Sequence, residues 1–411
     1  MASAPVLPVD SLAALDELLG PRPPLAVDPI LAAIAAQAAD ADRTRTVSPE
    51  VIAALKASDV VRLSASANIG GLEASMLQIG RELEAISAAC TSTAWVMWNH
   101  LCVFHLVAGC LGPDQADRLA GMVSAGETVC FPGGAGTGVT GVIEGDRVRL
   151  NGRGSFGSGG RYADWTGVAF VVVDADGNRV QPLDLRMSVA RIDDPTIKID
   201  PTWDGSAVRA SATDDMFYTG TELEVGRCVA WYGANRAEAL REVPVVAHRY
   251  REDWVGLSDL WLAWMGVGLV RAALTEAVGQ ILGRKAILGR TMTTLPPVQL
   301  NLGQAAALVA SAAATAETGC RQVDDRIAAG VVPTEADYLR QMALATSALD
   351  QLDEAMRLIQ RSAGGNGLRE GGTLERRFRD FQAMPVHINA HRDRVHLRVG
   401  RFALDEPQDP F

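Results

Sequence analysis

Over roughly the first 124 residues, apolar side chains recur every three or four positions, which is the spacing of one buried face of an α-helix. Pro21, Pro23, Pro24 and the Gly70-Gly71 pair interrupt this pattern and mark breaks between elements. The pattern predicts helices near residues 28–39, 49–57, 73–90, 92–110 and 114–123.

Between about residues 126 and 230 the apolar positions alternate with a period of two, and glycine and β-branched residues become more frequent. The segment GVIEGDRVRLNG predicts two strands joined by a turn at Glu144-Gly145-Asp146. The stretch WTGVAFVVVDADGNRV predicts a buried strand, a turn and a returning strand. A small β-barrel or sandwich would be completed by short strands near 185–191, 195–199, 207–212 and 221–224.

From about residue 233 the helical spacing returns in longer segments, and it suggests a four-helix bundle. The four predicted helices span about 255–288, 298–329, 333–363 and 373–400.

The order of helices, strands and helices is typical of a mostly helical α+β chain and not of a doubly wound sheet. No GxGxxG follows a strand near the start of the chain, so the sequence does not support a Rossmann nicotinamide site. We therefore predict an N-terminal helical domain (1–125), a β-barrel or sandwich domain (126–232) and a C-terminal four-helix bundle (233–411).

Composition and charge exclude several classes of protein. Nearly half of the 411 residues are hydrophobic and the net charge is −11, which disfavours nucleic acid or an anionic membrane as the main partner. The six cysteines form no CxxC pair, which favours free thiols in a reducing cytoplasm. The N-terminus lacks a basic stretch and does not resemble a signal peptide. The apolar stretch 257–282 is interrupted by Asp259, Arg271 and Glu276, so it predicts a buried helix rather than a membrane span.

Four segments, taken in order, resemble the acyl-CoA dehydrogenase superfamily. They are ACTSTAWVMWNHL at 89–101, LNGRGSFGSGGRYADW at 150–165, WDGSAVRASATDD at 203–215 and GGNGLREGGTLERRFRDFQAMPVHINAHRD at 364–393. The resemblance covers most of the chain from about residue 45 onward, and it implies the same layout of helical domain, β-domain and helical bundle.

Within that superfamily, the chain is similar to the branch of two-component flavin-dependent monooxygenases. The resemblance implies an oxidoreductase that uses reduced flavin and O₂, through a C4a-hydroperoxide, to hydroxylate a small aromatic, polyketide or amine substrate. It also implies a separate reductase that supplies the reduced flavin, and a homotetramer. Whether the flavin is FMN or FAD stays open.

The glycine-rich segment at 150–165 corresponds to the family's segment beside the flavin ring. By this resemblance Phe156 takes the place of a tryptophan, and Ser158 with Gly159 matches the Ser-Gly of the monooxygenase branch. Glycine lets a backbone approach a flat ligand closely, and a serine hydroxyl can form a hydrogen bond with the flavin edge. Phe156, Ser158 and Gly159 are therefore candidate cofactor-binding residues, and Ser158 is also a candidate catalytic residue.

Histidine replaces the carboxylate that acyl-CoA dehydrogenases use as a base. The corresponding position falls at about Ile388, and no carboxylate lies between Asp380 and Asp393. The same stretch holds His387, which the resemblance aligns with a histidine of the monooxygenases, and its pKa range suits proton transfer. His387 is therefore the first candidate base.

Other residues of the segments 89–101 and 364–393 complete the candidate site. His100 is a second candidate base, because the resemblance places a histidine near it in related monooxygenases. His391 and Trp95 are candidate substrate contacts. His387 and His391 have the i, i+4 spacing of a metal pair, but no third ligand is identifiable, so we predict no metal site.

The phosphate end of the flavin needs cations and open backbone, because guanidinium groups pair well with phosphates. By resemblance to the family's bundle, the candidates are Arg284, Arg290, Gly364 and Gly365.

Two alternative functions stay open at this stage. One is an acyl-CoA dehydrogenase with a relocated base, which would need a carboxylate facing the flavin from the helical bundle; Glu252 and Asp259 are the candidates. The other is a dehydratase or cyclase of this fold that works without redox flavin. Gly154 and Gly157 support this alternative, because they leave small residues in a segment that in the family usually packs large side chains on the flavin.

Overall fold

The computed structural model describes residues 10–133, 138–231, 241–286 and 289–408. The N-terminal part is helical, as the apolar spacing predicts. Its helices are α1 (Asp10–Leu19), α2 (Asp28–Thr44), α3 (Pro49–Ala57), α4 (Met76–Ala89), α5 (Thr91–Leu111) and α6 (Ala116–Ser124).

Local signals set several of these helix ends. Ser48 caps α3 by accepting a hydrogen bond from the Val51 N–H, and Pro49 occupies the first turn, where a missing N–H costs nothing. Ser75 caps α4 in the same way through the Gln78 N–H.

The central part forms one eight-stranded sheet in the order β6-β7-β3-β2-β4-β5-β8, with β1 paired to β4. Ile197 of β6, at one end of this order, and Ala190 of β5, near the other end, meet in one core around Phe170, so the sheet curves round that core. The strands are β1 (Val129–Cys130), β2 (Val139–Glu144), β3 (Arg147–Gly157), β4 (Trp165–Val173), β5 (Leu185–Arg191), β6 (Ile197–Asp200), β7 (Asp214–Glu224) and β8 (Val229–Ala230).

One predicted strand is wrong. Residues 207–212 form turns, because Val208 and Ala212 have backbone φ angles of +42° and +50°. These values lie in the left-handed region, which is incompatible with an extended strand.

The C-terminal part begins with three long helices and ends with two short ones. They are α7 (Trp254–Ile281), α8 (Pro296–Ala328), α9 (Glu335–Ala363), α10 (Thr373–Phe381) and α11 (Arg392–Ala403).

The fourth predicted helix, 373–400, is therefore wrong as a single element. It is divided by a turn-rich connection at 382–391. Pro385 lies in this connection, and proline has no N–H to donate and clashes with the preceding turn of a helix. The spacing of apolar residues does not take the effect of Pro385 into account, so it does not predict this break.

Helices from both ends of the sequence share one hydrophobic core. Leu83 of α4 and Leu260, Trp264 and Leu269 of α7 belong to the same cluster. A Cβ added at Gly268 would lie 2.0 Å from the Glu84 carbonyl oxygen, so α4 and α7 approach as closely as backbones allow. The mostly helical fold class is confirmed, while the exact boundaries at 125 and 232 stay predictions.

Two helices, α5 and α7, are long and apolar enough to cross a membrane by length and composition. In the folded chain, 94% and 89% of their most apolar windows are buried. They form the centre of the protein, as predicted for residues 257–282.

A buried ion pair joins the start of α7 to α8 and α9. Arg326 donates to both carboxylate oxygens of Glu252, at 3.0 and 2.9 Å, and Gln341 donates to one of them at 3.0 Å. The carbonyl of Glu252 also bonds the ring of His105 at 2.9 Å. Because Glu252 is almost fully buried, these partners offset the cost of removing its carboxyl group from water.

We expect Glu252→Gln to lower the free energy of unfolding by about 3 kcal/mol, because it leaves the Arg326 charge without its main partner in a buried place. The control is Asp353→Asn, which removes an exposed ion pair with Arg357 and should cost less than about 1 kcal/mol. Urea unfolding followed by circular dichroism measures both. Equal losses in the two variants would contradict the importance of the buried pair.

Candidate active site

Three aromatic rings form the centre of the candidate site. Trp95 and Trp98 are three positions apart on α5, so they lie on one face of the helix, and their ring centroids are 5.1 Å apart. The His387 ring lies edge-on to both, at 5.8 Å from Trp95 and 5.0 Å from Trp98. The structure thus brings two sequence-predicted residues, Trp95 and His387, into one cluster.

A chain of hydroxyl groups connects this cluster to the sheet. The Trp95 indole N–H donates to the Ser158 Oγ at 3.1 Å. The Ser158 Oγ lies 2.9 Å from the Thr213 Oγ1, which lies 2.7 Å from the Ser211 Oγ. If Ser211 donates to Thr213 and Thr213 to Ser158, the Ser158 hydroxyl keeps its own proton for a ligand.

A β-bulge presents the residues just before Ser158. Gly154 pairs with Met216 and Gly157 with Asp214, so β3 has one residue more than β7 between these pairs. Phe156 lies in this bulge with φ +60° and a side chain that is 63% exposed. Its ring lies 6.5 Å from that of Trp203, and it offers an aromatic surface to a ligand.

The two glycines of the bulge have a packing role. A Cβ at Gly154 would lie 2.9 Å from Pro132, and one at Gly157 would lie 3.1 Å from the Asp214 carbonyl oxygen. The space of the missing side chains is taken by the protein itself. These glycines therefore give no support to a version of the fold without flavin.

His387 lies in the connection between α10 and α11 and is half-buried. Burial, followed by the charge of Arg394, lowers the pKa of His387 to about 4. The ring is therefore neutral at pH 7 and can accept a hydrogen bond or a proton. The Asn389 N–H points at its Nδ1 from 3.4 Å.

His100 is placed elsewhere and does not join this cluster. Its Nδ1 accepts a hydrogen bond from the Val129 N–H at 3.1 Å, so its Nε2 carries the proton that it donates to the Val61 carbonyl at 2.9 Å. Burial lowers the pKa of His100 to about 4. Both nitrogens are occupied by backbone, which corrects the candidate base to a structural link between α5, β1 and the segment after α3.

His391 is exposed at the start of α11, away from the aromatic cluster. It does not share a helical face with His387, because the connection between them is not helical. Its predicted substrate contact therefore has no structural support. Ile388, which stands where a dehydrogenase would hold its base, is 61% exposed.

Three of the four predicted phosphate-binding residues lie together. The Arg284 Nη1 donates to the Ala363 carbonyl at 2.9 Å, which holds the guanidinium beside Gly364. A Cβ at Gly364 or Gly365 would meet no atom within 4 Å, so the backbone there is open to a ligand. Arg290 is exposed, and the structure does not join it to this group.

Neither carboxylate proposed for a relocated base fits that role as the structure stands. Glu252 is held by Arg326 and Gln341, and burial raises the pKa of Asp259 well above its usual range. Among the described residues, no group of three or more His, Cys, Asp or Glu side chains could hold a metal ion.

Several site residues were not identified from the sequence, namely Trp98, Ser211, Thr213, Ser258 and Asn389. Trp98 could have been found, because it follows Trp95 by three positions on a predicted helix. Ser211 and Thr213 lie in a segment that carried the family resemblance, but their contact with Ser158 depends on a long-range fold of the chain.

A buried carboxyl fixes the segment that holds Ser211 and Thr213. The Asp380 Oδ1 accepts the Val208 N–H at 2.7 Å, and Arg379 donates to the Ser206 carbonyl. From there the Ser211 N–H bonds the Val208 carbonyl at 2.9 Å. Val208 is β-branched and has φ +42°, a conformation that persists only when its surroundings hold it.

Burial, more than any other effect, raises the pKa of Asp380 to about 7. The folded protein therefore keeps this proton at pH values where the unfolded chain has released it. As the pH rises from 4 to 7, this group favours unfolding, and the loss is complete above about pH 7.

We expect the Asp380→Asn variant to escape this loss, because the amide does not titrate and its oxygen can still accept the Val208 N–H. Between pH 5 and pH 8, wild type should lose stability relative to the variant by an amount on the order of 3 kcal/mol. Thermal unfolding at both pH values tests this, with the exposed Asp59→Asn as control, which should follow wild type. Parallel behaviour of all three proteins would show that Asp380 ionises normally.

Solved structures share this fold along nearly the whole chain. One is XiaF from a Streptomyces species in complex with FADH2 and glycerol, with a TM-score of 0.83, 20% identity and coverage of 98% of both chains. Another is the HsaA monooxygenase from M. tuberculosis, with a TM-score of 0.80, 18% identity and coverage of 96% of this chain and 99% of that one. At these identities the likeness establishes the fold.

Sequence comparison points in the same direction. The chain is 26% identical to the indole-3-acetate monooxygenase of Pseudomonas putida over 84% of each protein. It is 25% identical to the oxygenase component of the FADH(2)-dependent resorcinol hydroxylase of a Rhizobium species, over 90% of this chain and 91% of that protein. Residues 29–127 match the N-terminal domain of acyl-CoA dehydrogenases, and residues 260–392 match their C-terminal domain. Because the two domains match in chain order on either side of the β-domain, the chain belongs to the acyl-CoA dehydrogenase superfamily.

Proposed function

We infer that this protein is the oxygenase component of a two-component flavin-dependent monooxygenase, which hydroxylates a small aromatic, polyketide or amine substrate. The observation that carries this conclusion is the position of His387 against Trp95 and Trp98, close to the Ser158 hydroxyl chain. A dehydrogenase would need a carboxylate in this region, and the exposed Ile388 cannot accept a proton. The monooxygenase relatives support the same function.

The residues present fit a reduced flavin, either FMN or FAD. Phe156 exposes an aromatic face beside the buried Ser158 hydroxyl, and Gly159 brings the backbone close to α5. Arg284, held beside the open backbone of Gly364, suits a phosphate group. When bound, reduced flavin reacts with O₂ and supplies the oxygen atom that enters the substrate.

The protein orients the substrate, excludes water from the site and accepts a proton. Trp95 and Trp98 are almost fully buried, and their rings form an apolar wall that keeps water from the reacting groups. The neutral His387 accepts a hydrogen bond from a substrate hydroxyl and draws its proton away as the ring is oxygenated. An anionic ligand beside the imidazole raises its pKa toward neutrality, which strengthens it as a base.

Ser158 supplies a directed hydrogen-bond donor next to Trp95. Its Oγ is fixed by the indole N–H and by Thr213, so the hydroxyl does not have to reorganise when a ligand arrives.

The remaining partners belong to the same proposal. A separate reductase supplies reduced flavin, as the name of the resorcinol hydroxylase component indicates for that relative. We further propose a homotetramer in the cytoplasm. In the described part of the chain none of the six cysteines forms a disulfide, which is consistent with a reducing compartment.

The function is tested by titrating the purified protein anaerobically with reduced flavin and then admitting isotope-labelled O₂ with indole or resorcinol. We expect binding of reduced flavin and one labelled oxygen atom in the product, seen by mass spectrometry. Binding of oxidised flavin that is bleached by an acyl-CoA would point to a dehydrogenase. A chain with no affinity for either flavin state would exclude both activities.

His387→Ala should lower the rate of product formation by about 10²- to 10⁴-fold, the usual contribution of a positioned base. Affinity for reduced flavin should change little, because the flavin-holding residues are elsewhere. The control is His391→Ala, four positions along and exposed, which should leave the rate unchanged. A normal rate in His387→Ala would remove this residue from the mechanism.

A further inference from the structure

Asn99 differs from the rest of α5, the apolar helix at the centre of the protein. Every other residue of this helix, which lies wholly within the described chain, is buried, whereas Asn99 is partly accessible. A helix that the protein surrounds has accessible surface only where it borders a space that the protein leaves open. Asn99 therefore marks an open space beside α5.

The two neighbouring sides of α5 are covered by other parts of the chain. On one side, Trp98 donates to the Ser258 carbonyl of α7 at 2.9 Å. On the other side, His100 accepts the Val129 N–H of β1 at 3.1 Å. Successive residues of a helix are about 100° apart around its axis, so Asn99 projects between these two covered sides.

The side of α5 that carries Asn99 also faces the candidate flavin-edge residues. Trp95 and Val96 precede Asn99 by four and three positions, so they lie on the same side of the helix, about one turn earlier. Trp95 donates to the Ser158 Oγ at 3.1 Å, and a Cβ added at Gly159 would lie 3.5 Å from the Val96 Cγ1. The open space at Asn99 therefore adjoins Ser158 and Gly159, about 5 Å further along α5.

The side-chain amide of Asn99 contributes little to the fold. Its Oδ1 is buried and has no hydrogen-bond partner among the described residues, which lowers stability. Because this oxygen has almost no accessible surface, the accessible polar atom of the side chain is Nδ2, whose N–H groups can donate hydrogen bonds. An apolar side chain of the same size would suit the helix better, so the fold alone does not account for an asparagine here.

We propose that Asn99 binds the cofactor, with its Nδ2 donating a hydrogen bond to a ring carbonyl of the flavin. The proposal rests on the proposed function and adds a cofactor-binding residue to those predicted from the sequence. Ligand sites are lined mainly by apolar groups and contain a few polar groups that fix the orientation of the ligand. On α5, Asn99 is the polar group that has the necessary access.

The chemistry of the two neighbouring donors suits this ligand. Ser158 offers a hydroxyl donor and Asn99 an amide donor, from adjoining positions on one side of α5. A flat heterocycle with more than one acceptor on its edge can use both. Flavin has such an edge, because its pyrimidine ring carries two carbonyl groups in the oxidised and in the reduced state.

A structural role and a ligand-binding role for Asn99 make opposite predictions about stability. An amide that the fold requires would stabilise the protein without a ligand, so its loss would lower the thermal midpoint. Asn99→Leu removes the unpaired oxygen and introduces a better helix former. If the amide serves the cofactor, the flavin-free variant should therefore be as stable as wild type or more stable.

The test compares wild type with Asn99→Leu, Asn99→Asp and the control Asn301→Leu, which changes a partly accessible asparagine of α8. Anaerobic titration at pH 8 with oxidised and reduced FMN gives the dissociation constants, and thermal unfolding gives the stability without flavin. We expect Asn99→Leu to weaken the binding of both flavin forms about tenfold, the effect of one lost hydrogen bond. Asn99→Asp should weaken binding at least as much, because an ionised carboxylate only accepts hydrogen bonds and repels a carbonyl oxygen. Asn301→Leu should bind as wild type does.

Four outcomes would overturn the proposal. Equal FMN affinity in wild type and Asn99→Leu would remove the contact. Normal affinity in Asn99→Asp together with a loss in Asn99→Leu would show that the residue accepts rather than donates. A lower thermal midpoint of flavin-free Asn99→Leu would assign the amide to the fold. Unchanged FMN affinity with a slower reaction of indole would assign the contact to the substrate.

The same measurements separate this proposal from the proposed function. If FMN binding depends on Asn99 but no labelled oxygen enters a product, the contact stands and the monooxygenase function fails. If wild type forms the labelled product and Asn99→Leu binds FMN equally well, only the contact fails. If wild type binds neither form of FMN or FAD, both fail together.

Discussion

The hydrogen bond from the Val208 N–H to Asp380 is the contact on which the candidate site depends. It crosses from the helical bundle to a segment of the β-domain that could not hold its conformation alone. The other contacts of the site depend on this segment. Ser211 and Thr213 fix the Ser158 hydroxyl through hydrogen bonds, and Ser158 in turn fixes the indole of Trp95. A carboxyl outside the aromatic cluster therefore helps to fix the orientation of the Ser158 hydroxyl in the candidate site.

The helix α5 explains why two histidines whose pKa values are both lowered to about 4 have different surroundings. Trp95 and Trp98 lie on the face of α5 that packs against the connection after α10. His387 lies in this connection, and the backbone hydrogen bond to its ring is long, at 3.4 Å. His100 lies on another face, and two strong backbone bonds fix its tautomer. A candidate base and a structural histidine thus differ here in their hydrogen-bond partners rather than in residue type or pKa.

Much of the fold could be predicted from the sequence, because apolar spacing reports directly on which helix face is buried. The helices α3 and α5 and the strand β5 were predicted almost to the residue. The break at 382–391 was missed because Pro385 acts locally within an otherwise helical pattern. The turn at 207–212 was missed because its strained backbone is held by Asp380, more than 170 positions away.

The candidate site was only partly predictable for the same reason. His387, Ser158 and Trp95 belong to segments that resemble a family, so their proximity could be anticipated. Thr213 and Asn389 became visible only through contacts between distant parts of the chain.

The paired strands β3 and β7 contain a second irregularity besides the bulge at Phe156. Before it, Leu150 pairs with Thr221 and Asn151 with Thr219, so there the extra residue, Gly220, belongs to β7. The later extra residue belongs to β3, and the strands finish in the register with which they began. Since side chains alternate along a strand, loss of one residue between 154 and 157 would turn Ser158 to the opposite face. The length of this segment is therefore as tightly constrained as its composition, and insertions or deletions here would abolish the site without any substitution in it.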